Sequence, residues 1–263
     1  MQSAVTIVDT FSRNSTDSWG TTDTGQTWLN EISAADVNGS QGTISVSVGA
    51  SYRTHYIDLS EESIGSQADS SILARVRWSA SASAPNTDFG LVLNRTSSNT
   101  FYVCSLQDNY DEVILGVYIN GVRWELSRGR ISIQKEVDYW VRYAVNNTGK
   151  YCAVKIWRSG QPEPSSWTLS TSTWTGSNPP GAGDCGVFYK GTTDSFTPKF
   201  SAFYFYTNED TEPGLPTTDS FDRTVTGGFG VNNDGSVWQG NVALDPDVYV
   251  RTGLGNVTDP GDG

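Results

Sequence analysis

Residues 139–158 read YWVRYAVNNTGKYCAVKIWR. Val141, Tyr143 and Val145 alternate with Trp140 and Arg142. After the turn residues Asn147-Thr148-Gly149, Cys152, Val154 and Ile156 alternate with Tyr151, Lys155 and Trp157. A period of two with a polar break between two such runs predicts paired antiparallel strands, each with one apolar face. No stretch of the chain sustains a 3.6-residue period over a dozen residues.

The same pattern extends in both directions. It predicts strands at 3–10, 43–48, 52–59, 71–79, 88–95, 100–107, 112–119, 122–127, 138–146, 151–158, 165–171, 184–190 and 198–207. Turn chemistry separates many of them, as at Asn120-Gly121 and Ser159-Gly160-Gln161-Pro162. Many short, evenly spaced strands predict an all-β sandwich or jelly roll. The composition agrees: 12% of the 263 residues are aromatic and only 17% are charged.

The formal net charge is −12. Nucleic-acid binding is excluded as a general role, because phosphate neutralisation needs clustered base. The stretch 53–158 is near neutral, and the surplus of Asp and Glu lies in 1–52 and 159–263. No apolar run approaches the roughly 20 residues of a membrane span, so no membrane insertion is expected. The start, MQSAVTIVDTF, lacks a basic segment followed by an apolar one, and no export signal is read there. A Trp-rich, Gly/Ser/Thr-rich β protein without such a signal fits a virion component, assembled inside a host and acting outside it.

The chain starts twice. DTFSRNSTDSWGTTDTGQTW (9–28) and DSFDRTVTGGFGVNNDGSVW (219–238) align at a constant offset of 210. Asp9, Phe11, Arg13, Thr16, Gly20, Gly25 and Trp28 recur as Asp219, Phe221, Arg223, Thr226, Gly230, Gly235 and Trp238. Such self-similarity marks a module boundary. The expected organisation is a jelly-roll domain at 1–208, an acidic Pro-containing linker at 209–218, and a partial second repeat at 219–263 that serves assembly or interaction. Within the last, Val248–Arg251 is a candidate strand for pairing with a neighbour.

The opening D-[TS]-F-x-R…[WF]-G…W resembles the start of laminin-G/concanavalin A-like jelly-roll modules, found in actinobacterial secreted proteins and in minor tail proteins of actinobacterial phages. Residues 139–170 are similar to a second segment of those modules, in which a YWVR strand leads to a W-x-x-G-x-x-E-P-x-x-W hairpin. Here that hairpin carries Trp157, Gly160, Glu163, Pro164 and Trp167. The resemblance spans about residues 5–208. It implies a lectin-like sandwich and, with two module starts in one chain, a tail or fibre-like virion protein; the alternatives are a secreted carbohydrate-binding module and a purely structural virion decoration protein. Its partners would be other tail proteins and host cell-surface polysaccharide, with homo-oligomerisation into a trimer or ring.

Catalysis is not expected. Some jelly-roll relatives are glucanases that use E-x-D-x-x-E, but here Glu136 and Asp138 are followed by Val141 in place of the third carboxylate. The single histidine, His55, has no nucleophile elbow to serve. Cys104, Cys152 and Cys185 lack metal spacing, so no metal or other cofactor is expected; they read as buried thiols, or as one disulfide with an odd partner. The acidic turn 108–112 is a calcium candidate, but a polar hairpin tip is the favoured reading.

The positive expectation is glycan binding. If the strands at 71–79, 138–146 and 151–158 share a sheet, Ile72, Ala74, Val76 and Trp78 face the core. The opposite face then displays Arg75, Arg77, Trp140, Arg142, Lys155 and Trp157. Aromatic and basic groups together would suit an anionic or phosphorylated cell-wall polymer. The same parity also describes a solvated sheet face, or Trp residues packed beneath loops.

Overall fold

The computed structural model describes residues 4–30, 35–49, 51–59, 69–80, 87–107, 110–147, 151–191 and 195–207, and further on 225–226, 249–251 and 254–256. The chain divides into two compact units, Met1–Thr211 and Glu212–Gly263. The predicted linker 209–218, most of the second repeat, and Asp108 and Asn109 of the acidic turn lie outside the described residues.

In chain order the strands of the first unit are β1 (Ala4–Asp9), β2 (Asn14–Ser15), β3 (Trp28–Asn30), β4 (Ala35–Asn38), β5 (Gly42–Ile44), β6 (Arg53–Ile57), β7 (Asp69–Ala80) and β8 (Phe89–Ser97). They continue with β9 (Thr100–Gln107), β10 (Glu112–Ile119), β11 (Val122–Arg130), β12 (Tyr139–Asn146), β13 (Tyr151–Arg158), β14 (Leu169–Ser172), β15 (Asp184–Tyr189) and β16 (Phe196–Thr207). One sheet has nine strands, ordered β14-β13-β12-β7-β16-β5-β4-β2, with β1 also on β16. The other has seven, ordered β11-β10-β9-β8-β15-β6-β3. The pairings are antiparallel throughout. The result is an all-β jelly-roll sandwich, and no helix occurs among the described residues.

The core between the sheets is built by the alternation read from sequence. Ile72, Ala74, Val76 and Trp78 of β7 meet Val141, Tyr143 and Val145 of β12 and Cys152, Val154 and Ile156 of β13 on one buried face. Trp78 is fully buried, with Tyr139 stacked 6.0 Å away and Phe89 of the opposite sheet at 5.4 Å. Each fully buried large side chain contributes roughly 1.5–3 kcal/mol of transfer free energy.

The seven-stranded sheet is covered on its other side too. Val92, Phe101, Val103, Tyr118 and Phe188 form a second buried cluster there, with Tyr52 against it. Burial of both faces explains why β10 is a continuous apolar run, EVILGVYI, rather than an alternating one. The Asn120-Gly121 turn between β10 and β11 has φ of 51° and 83°, the positive pair that a two-residue primed hairpin requires.

Three differences from the predicted strands have physical causes. β2, β3 and β4 are two to four residues long, too short to show a period of two. The strand expected at 165–171 begins only at Leu169, because the residues before it cross the sheet face as described below. The strand expected at 43–48 ends at Ile44, and Val46 contributes an isolated bridge to Phe196.

The second unit holds a three-stranded sheet of β17 (Val225–Thr226), β18 (Tyr249–Arg251) and β19 (Leu254–Asn256), in that order. β18 falls where a strand was read at 248–251.

Candidate functional site

β12 pairs with β7 on one side and β13 on the other, so their registers fix which side chains stand together. Trp140 lies opposite Arg75 and opposite Trp157. Arg142 lies opposite Leu73 and Lys155, and Arg77 lies opposite Lys199 of β16. Arg75, Arg77, Trp140, Arg142, Lys155 and Trp157 therefore share the side of the nine-stranded sheet that faces away from the core.

They do not form a free basic surface. Arg75 Nη2 donates to Asp138 Oδ2 at 2.7 Å. Arg77 donates through Nε and Nη2 to Glu136 Oε2 at 2.8 and 2.6 Å, and Lys199 Nζ stands 3.9 Å from the same oxygen. Arg142 donates to both oxygens of Glu163, at 3.0 and 3.2 Å, and Lys155 Nζ lies 3.1 Å from Glu163 Oε1. Each cation on the predicted face has a carboxylate. The Glu136/Asp138 pair that resembled an incomplete hydrolase motif thus supplies ion partners for two of the arginines.

The six residues also divide by depth. Arg75 and Arg77 keep 39% and 34% of their side chains exposed, whereas Arg142 keeps 13% and Lys155 only 3%. The cause is the segment between β13 and β14. Gly160 turns the chain at φ 88°, Glu163 clamps onto Arg142 and Lys155, and Trp167 places its ring 5.2 Å from the Lys155 ammonium. Arg142 also lies 5.4 Å from the Tyr206 ring. Residues 159–168 are thus a strap held on the sheet, and the Gly-x-x-Glu-Pro-x-x-Trp spacing is the sequence of that strap.

Between the exposed arginines and the strap, this face presents aromatic rings. Trp140 and Trp157 are cross-strand neighbours, both half-buried, and Tyr204 of β16 lies 6.4 Å from Trp140. Beside Trp157 is a cleft of about 250 Å³, lined by Ile131, Ser132, Gln134, Tyr139, Ile156, Trp157 and Arg158. Gln134 is fixed on two sides: its Oε1 accepts from Arg158 Nη2 at 3.0 Å, and its backbone N–H donates to the Tyr139 hydroxyl at 3.0 Å. Sequence reasoning missed Ser132, Gln134 and Arg158, since the connection 131–138 shows no periodicity to say which way its side chains point.

His55 is buried with its ring 4.3 Å from Trp19 and 5.3 Å from Trp28, and burial pushes its pKa down to about 3. It is a neutral core residue. All three cysteines are buried and unbonded. Among the described residues no three His, Cys, Asp or Glu side chains group closely enough to hold a metal ion.

No family model matches the chain, and no curated protein does. Its fold is similar to that of the GH43 BlXynB protein from Bacillus licheniformis, with a TM-score of 0.53 and 13% identity over 76% of this chain and 39% of that one. The chain therefore spans about two fifths of that protein's length. It is also similar to the carbohydrate binding module CBM66 from Bacillus subtilis (TM-score 0.41, 13% identity, 66% of this chain and 91% of that one). A further similar structure is lectin II from Ulex europaeus (TM-score 0.43, 11% identity, 68% and 94%). The strand order and the likeness to the GH43 protein agree on a jelly-roll sandwich of two antiparallel sheets.

Proposed function

We propose that this protein is a non-catalytic carbohydrate-binding β-sandwich whose outer sheet face receives a saccharide chain across Trp140 and Trp157. The carrying observation is the cleft beside Trp157. It brings Trp157, whose indole can stack on the C–H side of a sugar ring, beside Ser132, Gln134 and Arg158, which can fix hydroxyls, at the end of the sheet where Tyr139 and Ile156 close the core. The ligand class differs from the anionic polymer expected from sequence. With each basic group on the face paired, and a net charge of −12, a polyanion gains little there, and a neutral glycan is favoured. The carboxylates of this face are likewise engaged with arginine and lysine, which supports binding rather than hydrolysis.

The test is titration of the full chain with neutral oligosaccharides and host cell-wall polysaccharide. Trp140→Ala/Trp157→Ala is expected to weaken binding about tenfold or more, a loss of about 1.4 kcal/mol. A folded double variant that binds as the parent does would overturn this site.

The finer setting we propose is a phage virion, with the sandwich as part of a minor tail or fibre-like component that adheres to the host surface. Its support is the resemblance of two sequence segments, 9–28 and 139–170, to those of phage minor tail proteins. Gold labelling of virions with an antibody to this chain tests it, and unlabelled virions would sink it. For the proposed homo-oligomer, deletion of 219–263 followed by light scattering is decisive; an unchanged mass would remove that segment as the assembly element.

A further inference from the structure

A second aromatic site lies along the same edge of the sandwich, toward the other end of β11 and β13. β11 is the edge strand of the seven-stranded sheet, and β14 is the edge strand of the other. The two edges meet: Thr171 Oγ1 donates to the Leu126 carbonyl at 3.5 Å, and Gly129 faces Leu169. β14 has four residues and β11 has nine, so β14 closes only part of that margin. At the uncovered end stand Val122 and Trp124, which are 54% and 48% exposed. Trp124 is paired with Val117, whose side chain points into the core, so its indole is aimed inward yet remains 48% exposed.

Its neighbour there is Trp174, with ring centroids 5.3 Å apart and planes 34° from parallel. Trp174 is anchored. It packs on the core, and its Nε1–H donates to the Ser177 carbonyl at 3.2 Å. A Cβ at residue 176 would run into the Trp174 ring, so Gly176 is what lets the 174–177 turn lie flat on the indole. Asn147 Nδ2 ties the same connection down at the Pro180 carbonyl, 3.2 Å away. An exposed indole beside a fixed one is a preorganised surface, which lowers the ordering cost of a ligand.

The occupant is indicated by chemistry. The connection 168-TLSTSTWTGSNPPGAG-183 contains no charged residue, and Thr175, Ser177 and Asn178 are exposed around the indole pair. Hydroxyls and an amide around tryptophan suit a neutral sugar; they offer nothing to a polyanion or to a salt-bridged protein partner.

We infer that Trp124 and Trp174 form a second neutral-saccharide subsite, independent of the Trp157 cleft, so that one sandwich grips a polysaccharide at two places. This deepens the carbohydrate-binding reading and rests on it for the ligand class. The experiment is indole N–H NMR of the full chain, which has nine tryptophans, titrated with cellohexaose, mannohexaose and maltohexaose. Trp→Phe variants assign the signals of Trp124, Trp174, Trp140 and Trp157.

Saturable shifts at Trp124 and Trp174 that persist in Trp157→Ala, and vanish in Trp124→Ala, are the expected result. Shifts confined to Trp140 and Trp157 would overturn the second subsite and leave the first. Shifts confined to Trp124 and Trp174 would do the reverse. Silence at all four with every probe overturns both. Signals at Trp124 that move with protein concentration alone, with a doubled mass by light scattering, would assign the surface to a second copy of the chain and overturn the subsite.

Discussion

Trp28 donates its indole Nε1–H to Asp9 Oδ2 at 2.7 Å, joining the start of β3 to the end of β1 across 19 residues of chain. The Asp9 carboxylate is fully buried and takes three further bonds: the Phe11 N–H at 2.8 Å and Arg13 Nη1 and Nη2 at 2.6 and 2.7 Å. Arg13 in turn donates to the Trp19 carbonyl. Phe11, at φ 56°, tucks its ring against Trp19 and Trp28. The repeated Asp, Phe, Arg and Trp are therefore members of one hydrogen-bonded aromatic cluster.

Replacing Asp9 by Ala would leave the buried Trp28 N–H without its acceptor and take the ion partner from Arg13, which is 22% exposed and keeps the Trp19 carbonyl. The expected cost is about 3 kcal/mol, at the low end of what breaking a buried pair costs, because water reaches Arg13. Urea denaturation of Asp9→Ala measures it, and a midpoint within error of the parent would show that the cluster carries no stability.

Strand positions and faces were legible because a period of two survives wherever one face is buried, as in β7, β12 and β13. The all-β class, the hairpin turns and the outward placement of Trp140 and Trp157 follow from that alone. The chemistry of the face was not legible. Glu136, Asp138 and Glu163 reach it from connections without periodicity, and sequence does not say that their carboxylates meet Arg77, Arg75 and Arg142. Sequence likewise placed Lys155 on the outer face correctly, but it could not show that Glu163 and Trp167 would cover it. The Trp124–Trp174 pair depends on how far β14 extends, which is a property of sheet closure and not of either residue's neighbours.

His55 should make stability depend on pH. Its folded pKa is about 3, against an ordinary value near 6.5, because burial between Trp19 and Trp28 penalises the charged ring. The unfolded chain takes up a proton that the folded chain refuses. The contribution is therefore complete above pH 6.5 and is lost as the pH falls from 6.5 toward 3, at about 1.4 kcal/mol per unit. His55→Phe keeps an aromatic ring and removes the titration. Thermal melts from pH 7 to 4 should fall more steeply for the parent than for His55→Phe; parallel curves would contradict the assignment.

The thiols should be inert in the folded protein. Burial raises Cys152 to about 12 and pushes Cys104 and Cys185 up as well, so no useful thiolate fraction exists at pH 8, and reagent access is blocked. Ellman's reagent should detect none of the three thiols under native conditions and all three in guanidinium. Rapid native labelling would mean that the sandwich opens locally.

Glu163 holds both Arg142 and Lys155, and Lys155 is almost wholly buried beneath the strap. Glu163→Ala strands an ammonium there. Because Glu163 itself is 24% exposed, water relieves part of the penalty. The expected loss is about 3 kcal/mol, at the low end of what breaking a buried pair costs. Adding Lys155→Met should recover part of it, since the stranded charge goes while the packing under Trp167 stays. The same substitution should alter the surface chemistry. With the strap loosened, Arg142 and Lys155 become available, and Glu163→Ala should be retained on a heparin column that the parent passes through. Retention should weaken as salt rises. A variant that is destabilised but still passes through would mean that the strap stays closed without its clamp, held by Trp167 and by the Thr168 bonds to β13.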